Sequence, residues 1–310
     1  MPSARLLALD WGTSSLRAHL LGEGGAPLAE RQQPWGIMHL PEGGFDAALQ
    51  GIAGDWLNPG LPIIASGMVG SAQGWREAPY VELPAGADTL AQSLTAFDVG
   101  DGLALHIVPG VRHARPDVMR GEETQCIGAL ALIPGLAPRS TLLLPGTHSK
   151  WLRVEAGRIV DFQTFMTGEL YALLAEHSIL GRPARAAFRL GEAAAPEAFD
   201  RGVAAVRAQG AGGASELLFT TRALVLAGRL NAADSLEYLS GVLIGEELRC
   251  ALGTVDLRAA PLALIGDAAL CQRYRHALAL WQVADVPAVE AAAPVGLWRI
   301  AAQAGLMVAQ

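Results

Sequence analysis

An α/β protein built as two tandem, related halves is what this sequence predicts. Short apolar runs alternate with stretches of helical periodicity, and a strand, polar turn and second strand occur near residue 10 and again near residue 145. A Pro- and Gly-rich stretch, Pro134–Arg139, separates the two occurrences. The length agrees, because 310 residues suit two domains better than one. The expected domains are 1–135 and 136–310.

In the first half, Arg5–Asp10 is a short apolar run ending in an acid, followed by the turn Trp11-Gly12-Thr13-Ser14-Ser15 and a second extended run, Leu16–Leu21. Gly22–Gly25 turns the chain into a third strand, Ala26–Arg31. Phe45, Leu49, Ile52, Trp56 and Leu57 recur at helical spacing, and Pro59-Gly60 ends that helix. Strands follow at Leu61–Ala65 and Ala104–Val108, then a helix at Glu122–Ile133.

The second half restarts the order. Thr141–Leu144 is a strand, Pro145-Gly146-Thr147-His148-Ser149-Lys150 a polar turn, and Trp151–Glu155 and Arg158–Thr164 two more strands. Helices are expected at Gly168–Ser178, Glu197–Gln209, Glu216–Leu226 and Ser235–Leu252. Leu262–Ile265 reads as a buried strand, Ala268–Ala279 as a helix, Gln282–Val286 as a strand and Pro294–Val308 as a terminal helix. An offset of 134 residues aligns Gly12 with Gly146, Thr13 with Thr147 and Ser15 with Ser149, an internal duplication at domain spacing.

Composition removes several functions. Hydrophobic residues make up 51% and charged residues 17%, with a mean hydropathy of +0.30, which predicts a well-buried core and not a disordered chain. The apolar stretch Thr124–Pro138 is interrupted by Pro134 and Gly135, so no membrane span is expected. The N-terminal residues show no signal-peptide pattern, and the expected location is the cytoplasm. A net charge of −7 without a basic, aromatic-interleaved run argues against nucleic acid. Cys126, Cys250 and Cys271 stand apart among apolar neighbours as expected buried thiols, and the histidines lack metal-ligand spacing, so no zinc is expected.

The two turns carry the chemistry. A phosphate needs closely approaching donors, and glycine followed by hydroxyl residues supplies bare amides and short side-chain hydroxyls. Neither turn is a Walker A loop or a Rossmann fingerprint, since each leads into a strand. Facing one another across a cleft, they could grip the phosphates of one nucleotide from both sides. Asp10 would sit where a hydrated magnesium bridges it to those phosphates. Lys150, the single lysine among 22 arginines, closes the second turn as a compact point charge, although an exposed lysine on a hairpin would look the same.

LDWGTSSLRA at 9–18, SGMVGSAQGW at 66–75, MRGEETQ at 119–125, LPGTHSKW at 144–151, TGEL at 167–170 and LSGVLIGEE at 239–247 form an ordered set covering nearly the whole chain. The set resembles the 2-dehydro-3-deoxygalactonokinase family, kinases of bacterial D-galactonate breakdown within the sugar kinase, Hsp70 and actin superfamily. The resemblance implies two tandem ribonuclease-H-like (actin-like ATPase) domains with a nucleotide cleft between them. It also implies magnesium ATP as phosphoryl donor, and as acceptor a small sugar acid, 2-dehydro-3-deoxy-D-galactonate. The superfamily's second phosphate motif commonly begins with an acid; Leu144-Pro145 stands here instead, which leaves a single carboxylate at the metal.

Phosphoryl transfer to a hydroxyl needs positioning, charge neutralisation and a base. Glu122 and Glu123 open a helix just ahead of the second turn, where acids are also favoured by the helix dipole. Related sugar kinases carry a Gly-Asp at a similar point, so the resemblance implies a catalytic carboxylate here. Glu122, directly after Gly121, is the first choice and Glu123 the reserve. Ser66, Gly67 and Met68 resemble a sugar-contacting loop, and Arg76, Arg112 and Arg120 are candidate partners for the acceptor carboxylate. His148, inside the second turn, is a further candidate phosphate contact. Gly266 and Asp267 resemble the adenosine motif; Gly241 belongs either to that motif or to helix packing. A homodimer is compatible with the sequence. The rival readings are a kinase for another sugar or sugar acid, including the gluconate epimer, and an actin-like ATP-binding scaffold needing no base.

Overall fold

The computed structural model describes residues 3–209, 212–257 and 260–307. The chain forms two compact units. The first takes the chain up to Leu142, then Leu152–Gln163 and the segment from Val289; the second takes Leu143–Trp151 and Thr164–Ala288.

The chain begins with strands β1 (Leu6–Trp11), β2 (Leu16–Leu21) and β3 (Pro27–Gln33), helix α1 (Gly44–Ala53), and strands β4 (Ile63–Ser66) and β5 (Tyr80–Glu82). Helix α2 (Ala87–Gln92), strands β6 (Thr95–Asp98), β7 (Ala104–Ile107), β8 (Gly110–Arg112) and β9 (Val118–Met119), and helix α3 (Glu122–Leu132) follow. Sheet order is β3-β2-β1-β4-β7-β6. β4 runs parallel to both β1 and β7, and β1 and β4 are apolar almost throughout because both their faces are covered. Leu7, Leu9, Trp11, Ile52, Ile63 and Leu105 belong to the core beneath them. Strands β5, β8 and β9 form a small separate sheet.

The second strand set is β10 (Arg139–Leu144), β11 (Ser149–Glu155) and β12 (Arg158–Phe165). Helices α4 (Thr167–His177), α5 (Arg182–Arg189), α6 (Glu197–Ala208), α7 (Ala214–Leu217), α8 (Thr220–Leu226) and α9 (Ser235–Leu252) follow. The chain ends with β13 (Leu262–Ile265), α10 (Ala268–Leu280), β14 (Ala288–Val289) and α11 (Ala292–Gln303). The sheet order β12-β11-β10-β13-β14 repeats the third-second-first-fourth arrangement of β3-β2-β1-β4. The duplication seen in the turns therefore extends to topology.

Several expectations need correction. The segment 282–286 is not a strand, because Gln282 and Asp285 take φ of +62° and +55°, incompatible with extended backbone. The expected helix at 216–226 is two, α7 and α8. The short elements β5, α2, β6, β8, β9 and α5 escaped the periodicity reading, being mostly too brief to show a period. A single break at 135/136 does not describe the compact units either, because α11 belongs to the first. A Cβ on Gly128 would lie 1.9 Å from the Ala292 carbonyl oxygen, and one on Gly296 1.9 Å from that of Thr124, so α11 crosses α3 in backbone contact. Val308, the expected end of that helix, lies outside the described residues. Cys126 and Cys271 are buried as expected, whereas Cys250 is half-buried; all three are free thiols. No described helix is long and apolar enough to cross a membrane.

Candidate active site

In the first unit the site grows from the adjacent ends of two parallel strands, where Asp10 of β1 is in register with Ser66 of β4. Ligands of open α/β sheets gather at such carboxyl ends. Gly67 takes φ of +96°, and a Cβ there would sit 2.7 Å from the Trp11 carbonyl oxygen. Gly121 takes φ of +107°, with the position of its missing Cβ 3.3 Å from Gly67 Cα. Left-handed backbone at both positions suits glycine. The first phosphate turn, the Ser66–Ser71 loop and the start of α3 thus converge in a chain of backbone contacts.

The first turn is braced on its outer side. Gly12 N–H donates to Ser15 O at 2.9 Å, while Ile37 and Met38 N–H donate to the carbonyls of Gly12 and Thr13. Thr13 and Ser14 remain exposed and Ser15 is half-buried, which leaves the hydroxyls of the first two accessible to a ligand. The Asp10 side chain is 22% exposed, with Arg17 Nη1 at 3.7 Å. Burial raises its pKa, opposed by the charges of Arg17 and His19.

At the start of α3 the two glutamates separate. Glu122 is half-buried, and its Oε2 accepts from Arg120 N–H at 3.0 Å. Glu123 is fully enclosed; both its oxygens accept from Gly121 N–H, at 2.9 and 2.7 Å, and Thr124 Oγ1 donates to it at 3.1 Å. Burial, reinforced by Glu122, pushes the Glu123 carboxyl up to about 8. Glu123 is accordingly an internal cap, and Glu122 is the carboxylate that a ligand can reach.

The expected substrate contacts divide as well. Ser66 is buried and its Oγ has no partner among the described residues, so that hydroxyl is sealed from solvent; Met68 is half-buried. Arg120 is 9% exposed, donates Nη2 to Ala78 O at 2.8 Å and lies over the Tyr80 ring at 4.4 Å. A Cβ on Gly70 would come within 2.9 Å of Arg120 Nη1, so this arginine props the Ser66–Ser71 loop from beneath and does not reach out of it. Arg76 is exposed and stacks over Phe97 at 5.1 Å, and Arg112, also exposed, pairs with Glu82 at 2.7 Å.

In the second unit Pro145, Gly146 and Thr147 line a cavity of about 610 Å³, within the size range of small-molecule sites. Gly168 at the head of α4 approaches so closely that a Cβ would lie 2.5 Å from Gly146 O, and Glu169 N–H donates to Thr147 O at 3.0 Å. Leu243, Ile244 and Leu270 give the cavity an apolar wall. The opposing polar group is Arg273, whose Nη2 reaches Glu237 at 2.7 Å and whose Nε reaches Ser240 at 3.1 Å. Gly266 takes φ of +140°, and Asp267, which also lines the cavity, caps α10 by accepting from Leu270 N–H at 3.0 Å.

Gly241, Lys150 and His148 do not line this cavity. Gly241 packs α9 on α6, where a Cβ would lie 2.1 Å from Phe199 O, so it is the close-crossing residue and its neighbours Ser240, Leu243 and Ile244 face the cavity. Lys150 is 4% exposed, donates Nζ to Thr164 Oγ1 at 2.9 Å and does not line the cavity. It is neither a solvated hairpin lysine nor part of the cavity wall. His148 is exposed and ion-paired with Glu169. Conversely, Glu237, Arg273 and Tyr171 line the cavity without having been singled out in the sequence, and Thr167 does so as the first residue of the TGEL motif, which Tyr171 directly follows.

Comparison with known proteins shows the family. The family 2-keto-3-deoxy-galactonokinase matches residues 10–300. A probable 2-dehydro-3-deoxygalactonokinase of Rhizobium meliloti (strain 1021) is 42% identical over 87% of this chain and 88% of its own length. The 2-dehydro-3-deoxygalactonokinase of Escherichia coli (strain K12) is 38% identical over 89% of each. The crystal structure of a Sinorhizobium meliloti protein bearing that same name superposes with a TM-score of 0.85 at 40% identity, covering 96% of this chain and 98% of that one. With the family matched from the first phosphate turn to the last helix, this chain belongs to the 2-keto-3-deoxy-galactonokinase family.

Proposed function

We propose that this chain transfers the γ-phosphoryl group of ATP to the 6-hydroxyl of 2-dehydro-3-deoxy-D-galactonate. The observation that carries the reading is the convergence of Gly12, Gly67 and Gly121, which brings a reachable glutamate, Glu122, to the first phosphate turn. Family membership supplies the acceptor, since the relatives are named for that sugar acid.

The residues divide the work. Thr13, Ser14 and Ser15 in the first unit, and Thr147 in the second, supply amides and hydroxyls for phosphate, while Gly12 and Gly146, whose own N–H groups are bonded to Ser15 O and Ser149 Oγ, let each turn close. The apolar wall of Leu243, Ile244 and Leu270 receives the base, with Gly266 and Asp267 beside it and the Glu237–Arg273 pair offering polar contacts to the ribose. Glu122 accepts the acceptor hydroxyl proton on a carboxylate oxygen. Arg76 and Arg112, both at the surface, are the arginines open to the acceptor carboxylate.

Magnesium fits the residues present in one way. Among the described residues no group of three or more His, Cys, Asp and Glu side chains could hold a metal. Asp10, partly exposed beside the phosphate turn, provides a single carboxylate. That suits magnesium, which keeps several waters and binds through one or two carboxylates plus substrate phosphates. When bound, the ion would neutralise charge on the triphosphate. The acidic net charge supports leaving nucleic acid out, and the cytoplasm is the compartment this reaction requires. The repeated strand order supports reading 1–135 and 136–310 as copies of one ancestral unit, with the last helix transferred onto the first.

The test is a coupled ADP-release assay with magnesium ATP against 2-keto-3-deoxy acids, hexoses and a no-acceptor control. Preference for the galactonate-derived acid is the expected result. Preference for the gluconate epimer or a hexose would keep the chemistry and replace the acceptor, and release that no acceptor stimulates would overturn the kinase reading.

A further inference from the structure

Glu247 on α9 is 1% exposed, and among the described residues no cation pairs with it. A lone buried carboxylate is costly unless hydrogen bonds replace the lost water. Here three side chains do so: Trp151 Nε1 at 2.9 Å to Oε1, and Thr167 Oγ1 at 2.5 Å and Tyr274 Oη at 2.7 Å to Oε2. Burial raises the pKa of this carboxyl, and hydrogen bonds from Thr167, Tyr274, Trp151 and Ser149 oppose that rise.

The network has a direction. Trp Nε1 can only donate, and Tyr Oη carries one proton. Because that proton goes to Glu247, the Ser149 hydroxyl, 3.0 Å from Tyr274 Oη, points its own proton toward the tyrosine or the carboxylate and receives none from either. Ser149 Oγ then keeps its lone pairs for Gly146 N–H, at 3.5 Å. The order is Gly146 N–H to Ser149 to Tyr274 to Glu247, and an acceptor-only group at its end sets every hydroxyl along it. The same carboxylate holds Thr167, next to the Gly168 that packs on Gly146 and Thr147. Thr167 and Tyr274 both line the cavity, and Gly146 belongs to the second phosphate turn.

We infer that Glu247 is a positioning residue for the nucleotide, setting Thr167, Tyr274 and the second phosphate turn from behind the cavity wall. The inference rests on the reading of that cavity as the ATP site. Glu247→Gln keeps the shape but brings an amide that must donate as well as accept. It cannot receive all three donors, and an NH2 facing Tyr274 would reverse the relay and turn the Ser149 proton toward the Gly146 N–H.

The experiment measures ATP dissociation constants by calorimetry, KM for ATP and for the sugar acid separately, and melting temperature, in the full-length protein. Glu247→Gln should weaken ATP at least tenfold, the scale of one lost hydrogen bond to a charged group, with KM for the acid within about twofold. Tyr274→Phe should weaken ATP in the same sense, and Thr167→Val should do so while Thr167→Ser restores binding. A Glu247→Gln protein that melts earlier yet binds ATP as the parent does would overturn the inference and leave a purely structural carboxylate. Should that variant fail to fold, Tyr274→Phe decides, and unchanged ATP affinity there overturns it equally. A parent protein that binds no ATP would instead sink the nucleotide-site reading beneath the inference.

Discussion

The two Gly-Thr-x-Ser turns start from the same residues and are held in different ways. The first is braced by backbone: Ile37 and Met38 donate to its carbonyls, and Gly67 and Gly121 press in where side chains would not fit. The second has its own backbone brace, Glu169 N–H to Thr147 O with Gly168 pressed on Gly146, and adds a side-chain network in which Ser149 is bonded to Tyr274 and Tyr274 to a buried glutamate. Ser15 is half-buried and Ser149 fully buried. The position of Asp10 is taken in the second half by Leu144, which is buried. The first turn leaves Thr13 and Ser14 exposed, whereas the second stands beside a cavity with an apolar wall. Duplicated hairpins can thus diverge in their supports while keeping their own sequence.

The largest effect should break the first turn's side of this contrast. Glu122→Gln is expected to lower turnover by about 10²- to 10⁴-fold, the range of general base catalysis, with ATP affinity within about twofold of the parent. Steady-state kinetics and calorimetry check it, and near-normal turnover would overturn the base assignment.

A paired glycine substitution sharpens the contrast. Gly67→Ala puts a methyl group 2.7 Å from a backbone carbonyl at positive φ, whereas Gly146→Ala meets nothing within 4 Å. The first should cost about 1–3 kcal/mol of stability and most of the activity. The second should leave the melting temperature nearly unchanged and act mainly on KM for ATP. Equal thermal losses would remove the distinction between the two turns.

Asp10→Asn should raise the magnesium concentration needed for half-maximal activity several-fold, and the equivalent Leu144→Ala should not; a magnesium titration at fixed ATP separates them.

The smallest effect concerns the internal cap. A Glu123 carboxyl held near 8 stays protonated in the folded chain while the unfolded chain ionises near 4.5. The folded state therefore binds more protons between those values, and stability falls as pH rises from about 4.5 to 8. Glu123→Gln should flatten that slope in melting temperature by several degrees; an unchanged slope would show that Glu123 is ionised when folded.

Much of this was legible in the sequence for a local reason. Helix α9 and strand β13 occupy the residues that their periodicity predicts, 235–252 and 262–265, and both Gly-Thr-x-Ser turns lie between strands as expected. Failures arose where local pattern and tertiary demand part, as in the segment 282–286, which is apolar enough for a strand yet bent by two positive-φ residues.

The sequence by itself determined the two hairpins, their order, and an acid-led helix at 122, because each depends on neighbours a few residues apart. Only the tertiary structure decided between two adjacent glutamates, one reachable and one enclosed. It also buried Lys150, assigned Gly241 to a helix crossing and Arg120 to the underside of a loop. The Glu237–Arg273 pair and the relay ending at Glu247 were likewise decided there, the relay spanning 128 residues between Gly146 and Tyr274. Burial and hydrogen bonding between such distant segments are set by how helices and sheets pack, and no window of sequence contains that information.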